Sequence, residues 1–506
     1  MTTTATTSFW IDTEPLPRFA ALDRDVTVDV PVIGGGLTGI STAYLLKQAG
    51  RTVALIDRRR LAEVDTGHTT AHLTYVTDTR LSELAQRFGR DHARAAWDAG
   101  RAALWQIESI VNERSIDCGF EWVTGRLHAP VDRDGGMTPD DYRQEAEFAA
   151  ELGFEARYQE QVPFVNRPGI EFEGQALFHP RRYLRGLLTA LAGNGCHVFE
   201  HTDVEEIENE PLTVKSRGHR ISCSCLVVAT HNPIVGTSGL LSATLFQTKL
   251  ALYTSYAVGG TVPRGSVPHG SFWDTKDPYD YLRVHGNGRH DVAILGGEDH
   301  KTGQAADPEA CFARLERRAQ ALMPQIALTH RWSGQVIETP DGLPYIGESG
   351  PRQIIATGFA GNGMTFGTLA AMMAVDAVEG LSNPWRDLFD PRRKTLAAVW
   401  DYVKENTDYP YYLVRDLFVS PEGRSLRALK RGEGKILELG GKTVAAYRAA
   451  DGTVWRLSPT CTHMGCKVAW NDAERTWDCP CHGSRFEPTG KVLSGPAETP
   501  LEPIER

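Results

Sequence analysis

The stretch from Asp29 to Asp57, DVPVIGGGLTGISTAYLLKQAGRTVALID, leaves this chain little choice of fold. A short apolar strand runs into Gly34, Gly36 and Gly39 at the GxGxxG spacing. A helix-patterned stretch with Ile40, Ala43, Tyr44 and Leu46 follows, and a second strand covers Val53 to Ile56. The glycines allow a tight turn, close approach of the backbone to a pyrophosphate, and close packing of helix on strand. The helix N-terminus turns amide hydrogens and a positive dipole end toward the phosphates. Asp57, 21 residues after Gly36, stands where an acidic side chain takes ribose hydroxyls. Pro31 is expected at the start of its strand, because inside a central strand it would lose a ladder hydrogen bond. The unit predicts an α/β, Rossmann-like dinucleotide-binding domain.

A chain of 506 residues exceeds one hydrophobic core and predicts two or three domains. A net charge of −10 argues against nucleic acid or an anionic membrane as the main partner. No apolar run approaches the roughly 18 residues of a membrane span. The first residues lack the basic and apolar regions of a signal peptide. A cytoplasmic location is expected, and with it metal or redox roles for clustered cysteines.

Two later segments favour FAD over NAD. CLVVATHNP, from Cys225 to Pro233, reads as a buried strand ending in a small-residue turn. IIATGFAGNGMTFGTLAAMMAVDAV, from Ile354 to Val378, reads as a strand, a glycine-rich loop and an apolar helix. The amides of that loop, at Gly358, Gly361, Asn362, Gly363 and Met364, are expected to face the isoalloxazine edge that becomes anionic on reduction. NAD needs no such second loop. With ETPDGLPYIG, Glu338 to Gly347, these segments resemble the D-amino-acid oxidase, glycine oxidase and sarcosine oxidase superfamily over roughly residues 25 to 385. The resemblance implies an FAD half, to which Val204 is also assigned, and a substrate half on a mixed, mostly antiparallel sheet.

The resemblance further implies that an arginine and tyrosines of that sheet grip a substrate carboxylate over the flavin. YDYLRV alternates like a strand and projects Tyr279, Tyr281 and Arg283 from one face. Arg283 and Tyr281 are therefore candidates, with an arginine paired at a sheet edge as the bland alternative. Lys301, in GGEDHKTG with His300, is a third candidate near the flavin, against the reading of that segment as a solvated loop. His68, in TGHTTA, matches the covalently flavin-linked histidine of the dimethylglycine dehydrogenase branch. A histidine hydrogen-bonded near the cofactor is the preferred reading there.

The tail, CTHMGCKVAWNDAERTWDCPCHGS from Cys461 to Ser484, changes the chemistry. Cys461 with His463, and Cys479 with His482, supply two thiolates and two imidazoles from two loops in a region of short strands and glycine turns. Thiolates suit an Fe–S iron, and imidazoles in place of two of them raise the potential. Cys466 and Cys481 are left over, one per loop, and a bridge between them would close a loop worth roughly 3 kcal/mol in the chain-entropy model. The string resembles the Rieske [2Fe–2S] domain of respiratory-complex type, with SGPAE, Ser494 to Glu498, as its proline loop. Phe486 replaces the tyrosine of high-potential members, while Ser484 remains as a donor to a bridging sulfide. A Cys₂His₂ zinc site is the competing reading.

The expected organisation is residues 1–392 as the FAD-dependent oxidoreductase, 393–428 as a linker with aromatics from Trp400 to Phe418, and 429–506 as a small all-β Rieske domain. The expected function is oxidation of an amine or amino acid at its C–N bond, with hydride going to flavin N5 and electrons leaving singly through the cluster. One alternative is an oxidase using O₂ beside a structural or regulatory cluster. Another is an electron-transfer component for a partner oxygenase. The final acceptor, whether protein, quinone or O₂, is left open. Docking of the Rieske domain with His463 and His482 toward the flavin domain or a partner would shorten the electron path.

Overall fold

The computed structural model describes residues 4–132, 136–232, 250–305, 307–393 and 421–504. Its first layer is a six-stranded sheet in which Val30–Ile33 and Val53–Ile56 run parallel beside His197–Phe199, Leu226–Val228 and Gln353–Thr357. Only the edge strand, Tyr345–Gly350, is antiparallel. The central strands are buried along their whole length, as near-continuous apolar runs require when both faces are covered. Pro31 pairs with Ala54 on one side, while on the other Leu226–Val228 pairs only from Val32 onward, so the missing N–H falls near the strand's start.

Helix Leu37–Gln48 crosses between the first two strands and packs on helices Gly363–Glu379 and Pro180–Leu191. Two glycines make this possible. Gly34 has φ +107, and a Cβ there would lie 2.3 Å from the Ala229 carbonyl oxygen. A Cβ on Gly39 would lie 1.8 Å from the Gly34 carbonyl oxygen, so only glycine lets the helix sit down on the turn.

The second layer is an eight-stranded mixed sheet, antiparallel except where Gly270–Asp274 runs parallel to Glu121–His128. Its long strands, Ala251–Pro263, His290–Lys301 and Ala327–Glu338, stand side by side and carry the wall of the cavity described below. GGEDHKTG is not a solvated loop: the strand continues through Lys301, and the half-buried His300 stacks on Tyr256 with ring centroids 5.5 Å apart. The C-terminal part holds a three-stranded and a four-stranded antiparallel sheet between Gly434 and Ser494. The greater part of the expected linker, 394–420 with its aromatic run, lies outside the described residues. No helix of the described residues is long and apolar enough to cross a membrane.

Candidate active site and cluster site

Between the two large sheets lies a cavity of about 950 Å³. At one end it is walled by Gly34, Gly35 and Gly36 and by Asp57, with Val204 opposite. The Asp57 carboxylate accepts the Gly35 and Arg59 amides, each at 2.7 Å, and burial pushes its pKa up against those bonds. Helix Leu37–Gln48 begins at Gly36, which supplies no side-chain cap. A helix start above a glycine turn, with Thr66 Oγ1 accepting the Leu37 amide at 3.1 Å and a fixed carboxylate alongside, is a cradle that a dinucleotide fills.

At the other end, the loop from Phe359 to Met364 forms the wall, and helix Gly363–Glu379 starts there, again with no side-chain cap. Gly361 has φ +76, and its Cβ would lie 2.9 Å from the Asp78 carboxylate. Tyr279 donates to Asp78 at 3.1 Å. Across the space, Ser255 donates to Asp299 at 2.5 Å and also bonds the Tyr281 hydroxyl. Burial pushes the Asp78 carboxyl up to about 6 and the Asp299 carboxyl up to about 7. His72 closes this end, its ring 5.6 Å from that of Tyr281. Burial lowers its pKa to about 3, so it stays neutral at ordinary pH. Asp65 and His231, joined at 2.7 Å, line the same cavity.

In the C-terminal sheets, Cys466 and Cys481 form a disulfide across a separation of 15 residues. Cys479 lies beside them, but the bridge removes both partners as metal ligands. The remaining donors are Cys461, Cys479, His463 and His482. Both ring nitrogens of His463 are buried without a hydrogen-bond partner. The His463 and His482 rings meet edge-on at 5.0 Å. The Cys461 thiol is lowered to about 7, first by the Cys479 thiol bonded to it, while that same contact pushes Cys479 up. Two thiols in mutual contact and an imidazole with orphaned nitrogens fit a shared metal centre with sulfur and nitrogen donors. Ser484 Oγ accepts the Ala497 amide at 3.0 Å, tying the loop after Ser494 to the cysteine loops. Replacing Cys466 and Cys481 together by serine is expected to cost about 3 kcal/mol of stability, measured by denaturant unfolding of the loaded protein.

A family model described as FAD dependent oxidoreductase matches residues 29–377. A second, the Rieske [2Fe-2S] domain, matches residues 424–505. The chain belongs to the DAO family of FAD-dependent oxidoreductases and carries a C-terminal Rieske domain. YhfW of Bacillus subtilis (strain 168), described as a Rieske 2Fe-2S iron-sulfur protein, is 32% identical over 507 residues, 98% of this chain and 97% of that protein. The gamma-glutamylputrescine oxidoreductase of Escherichia coli (strain K12) is 22% identical over 387 residues, 72% of this chain and 86% of that protein. Among solved structures, glycine oxidase from Geobacillus kaustophilus has a similar fold, with a TM-score of 0.60 at 18% identity. The match covers 73% of this chain and 99% of that one. FAD and a [2Fe–2S] cluster are accordingly this oxidoreductase's cofactors.

In this DAO-family chain the expected substrate residues divide. Tyr281 lines the cavity, as do His68, Val204, Gly34, Gly36, Asp57, Gly361, Asn362, Gly363 and Met364. Gly358 stands behind the wall, turning the chain at φ +73 against Thr339, and Gly39 acts in helix packing. Arg283 does not reach the cavity. It is fully buried and donates to the carbonyls of Thr70, Ala71 and Phe178, while Trp10 stacks over it at 5.0 Å. The N-terminal helix Phe9–Thr13 places that indole, and so closes the sheet face on which Arg283 follows Tyr281. Arg283→Met is therefore expected to lower stability by about 1–3 kcal/mol for each buried carbonyl left unpaired. Substrate KM in the surviving protein should hold, as steady-state kinetics beside thermal unfolding would show. Lys301 also misses the cavity, pairing with Tyr253 at the strand's end. Sequence reasoning missed Asp78, Asp299, Asp65 and His231; His72, four residues after His68 and so open to a metal reading in sequence, stands instead on the cavity wall at the ring end.

The Rieske domain sits on the same sheet wall. Gln304 donates to the Pro480 carbonyl at 2.9 Å and Gln335 to that of Gly483 at 2.8 Å, on either side of His482. Ser494 donates to Gln335 at 2.5 Å, and Arg59 holds Glu487 at 2.6 Å and the Val492 carbonyl at 2.9 Å. A Cβ on Gly303 would lie 2.9 Å from the Cys479 main chain. The loop with His482 is thus seated on the flavin domain, whereas Met464, beside His463, is exposed.

Proposed function

We propose that the protein oxidises the C–N bond of a small amine or amino acid and passes the electrons singly from flavin to the Rieske cluster. The observation that carries this reading is Gln335: it lines the FAD cavity and donates to Gly483, next to the ligand His482. Residues Leu493 to Glu498 of the Rieske domain also form part of the cavity wall. One wall therefore serves both cofactors. When bound, FAD accepts a hydride and the cluster accepts electrons one at a time.

The chain's own residues do the rest. Gly34 to Gly36 and Asp57 hold the nucleotide, and the uncapped start of helix Gly363–Glu379 favours negative charge at the ring. Tyr279, Tyr281 and His72 shape the substrate end, and the loop at Leu493 to Glu498 excludes water from the side facing the cluster. His68, with Nδ1 on the Val64 carbonyl at 2.8 Å, is held as a hydrogen-bonded wall residue rather than a flavin link. Acid precipitation is then expected to release all of the flavin, and colour kept in the pellet would contradict that assignment. The amine class is supported by the relative that carries gamma-glutamylputrescine in its name. A cytoplasmic location belongs to the same reading.

A Cys479→Ser variant tests it. Substrate is expected to bleach its flavin at the native rate, while turnover with an artificial one-electron acceptor falls at least tenfold. Undiminished turnover would mean that electrons leave without the cluster.

A further inference from the structure

We propose that the ring end of the cavity is a site for a cationic amine with no carboxylate next to its nitrogen, such as an α,ω-diamine, held between Asp78 and Asp299. The inference rests on the C–N oxidation reading and narrows its substrate class.

Charge points this way first. Among the described residues, this end of the cavity presents the carboxylates of Asp78 and Asp299, with Glu338 on the wall beside the Phe359–Met364 loop, and neither lysine nor arginine. The arginines that line the cavity belong to its nucleotide end. Arg58, Arg59 and Arg60 directly follow Asp57, and Arg352 donates to the Asn209 carbonyl. Arg283, which could have met a substrate carboxylate, is sealed behind Trp10. A zwitterionic amino acid would bring its carboxylate against Asp78 and Asp299 with no cation to receive it. An ammonium group instead supplies the counter-charge that two buried carboxylates lack.

Geometry agrees. Asp78 abuts Gly361 in the loop read as facing the flavin ring, which places an ammonium held there beside the reacting position. Tyr279 bonds Asp78, and its ring stands 5.5 Å from that of Tyr281, whose hydroxyl shares Ser255 with Asp299. The two acids are thus joined by a pair of aromatic rings, whose faces attract cations. Independently of the acids, His72 Nε2 is buried at this wall with no hydrogen-bond partner. Being neutral, that imidazole offers a hydrogen bond to an amine without adding positive charge.

Proton affinity supplies a readout. Asp299 faces Asp78, Asp280 and Glu298, all of which raise its pKa, and Ser255, which lowers it. Arg318 and Arg314 are engaged by Asp280 and Glu298. Asp78 faces Tyr279. Both carboxyls are mostly ionised at pH 8 and mostly protonated at pH 5, whereas a simple amine stays protonated across that range.

The FAD-loaded protein should be titrated anaerobically with 1,4-diaminobutane, glycine and L-proline while flavin absorbance reports both binding shifts and bleaching. The diamine is expected to bind and bleach at pH 8, with at least tenfold weaker half-saturation at pH 5. Asp299→Asn should weaken it about 30-fold or more at unchanged FAD content and remove most of the pH dependence, and Asp299→Glu should restore part of both. If Asp299→Asn does not hold FAD, Asp78→Asn is read in its place. Bleaching by glycine or L-proline but not by the diamine would overturn the inference and leave C–N oxidation standing. A diamine shift that needs Asp299, with no bleaching by any of the three compounds, would keep the cation site and count against C–N oxidation. Diamine binding indifferent to both substitutions, or no response to any of the three compounds, would overturn the inference.

Discussion

A His482→Ala variant is expected to purify with essentially no [2Fe–2S] cluster: iron should fall from about two per chain to near zero, and the reduced signal with average g below 2 should vanish. The magnitude follows from the donor set. With Cys466 and Cys481 joined, only Cys461, His463, Cys479 and His482 remain, and one iron would be left with a single protein ligand. The disulfide also ties the two loops together without metal, so the variant should stay folded and keep its FAD. That separates ligand loss from unfolding. Unchanged iron in His482→Ala, or one equivalent of zinc and no iron in the native protein, would contradict the assignment.

Replacing Gly39 by alanine is expected to abolish FAD binding almost completely, leaving less than about a tenth of the native flavin. A methyl at 1.8 Å from the Gly34 carbonyl oxygen cannot be absorbed by a side-chain rotation, because the neighbour is backbone. Helix Leu37–Gln48 must lift off the turn, and the amides at Gly35 and Gly36 move with it. Overpacking a core typically costs about 1–3 kcal/mol, and a main-chain overlap this close belongs at or above the top of that range. Flavin absorbance after gel filtration in excess FAD checks it. A fully yellow Gly39→Ala protein would show that the glycine turn does not carry the cofactor.

What was legible in the sequence was chemistry that needs residues close together along the chain. The strand–glycine–helix–strand unit and the two cysteine–histidine loops are local, so their spacing carries their geometry. The parallel sheet followed from the first and the small β domain from the second. The substrate end was illegible because it is assembled from four separated segments, one carrying His72 and Asp78 and the others around Ser255, Tyr279 and Asp299. No periodicity marks an isolated aspartate as cavity wall. Arg283 shows the converse error. Its alternation with Tyr281 was visible, but the arrival of Trp10 from the N-terminal helix to cover that part of the sheet was not. The docking of the Rieske domain was equally hidden, since Gly303, Gln304 and Gln335 become interface residues only once the long strands stand beside the second cysteine loop.

That docking underlies the proposed route, in which substrate electrons reach the cluster through the wall shared at Gln335 and Gly483. Imidazole ligation places such clusters at roughly −150 to +300 mV, above about −400 mV for plant-type clusters ligated by cysteine alone, which is the direction the proposed flow from reduced flavin to cluster requires. The direct measurement mixes the fully loaded protein anaerobically with an oxidisable amine and follows flavin absorbance and the cluster's low-temperature EPR signal in the same samples. Flavin bleaching followed by the cluster signal, with the signal absent in Cys479→Ser, is the predicted result. A flavin that bleaches while the cluster stays oxidised, together with full turnover sustained by O₂ alone, would contradict it and make the protein an oxidase.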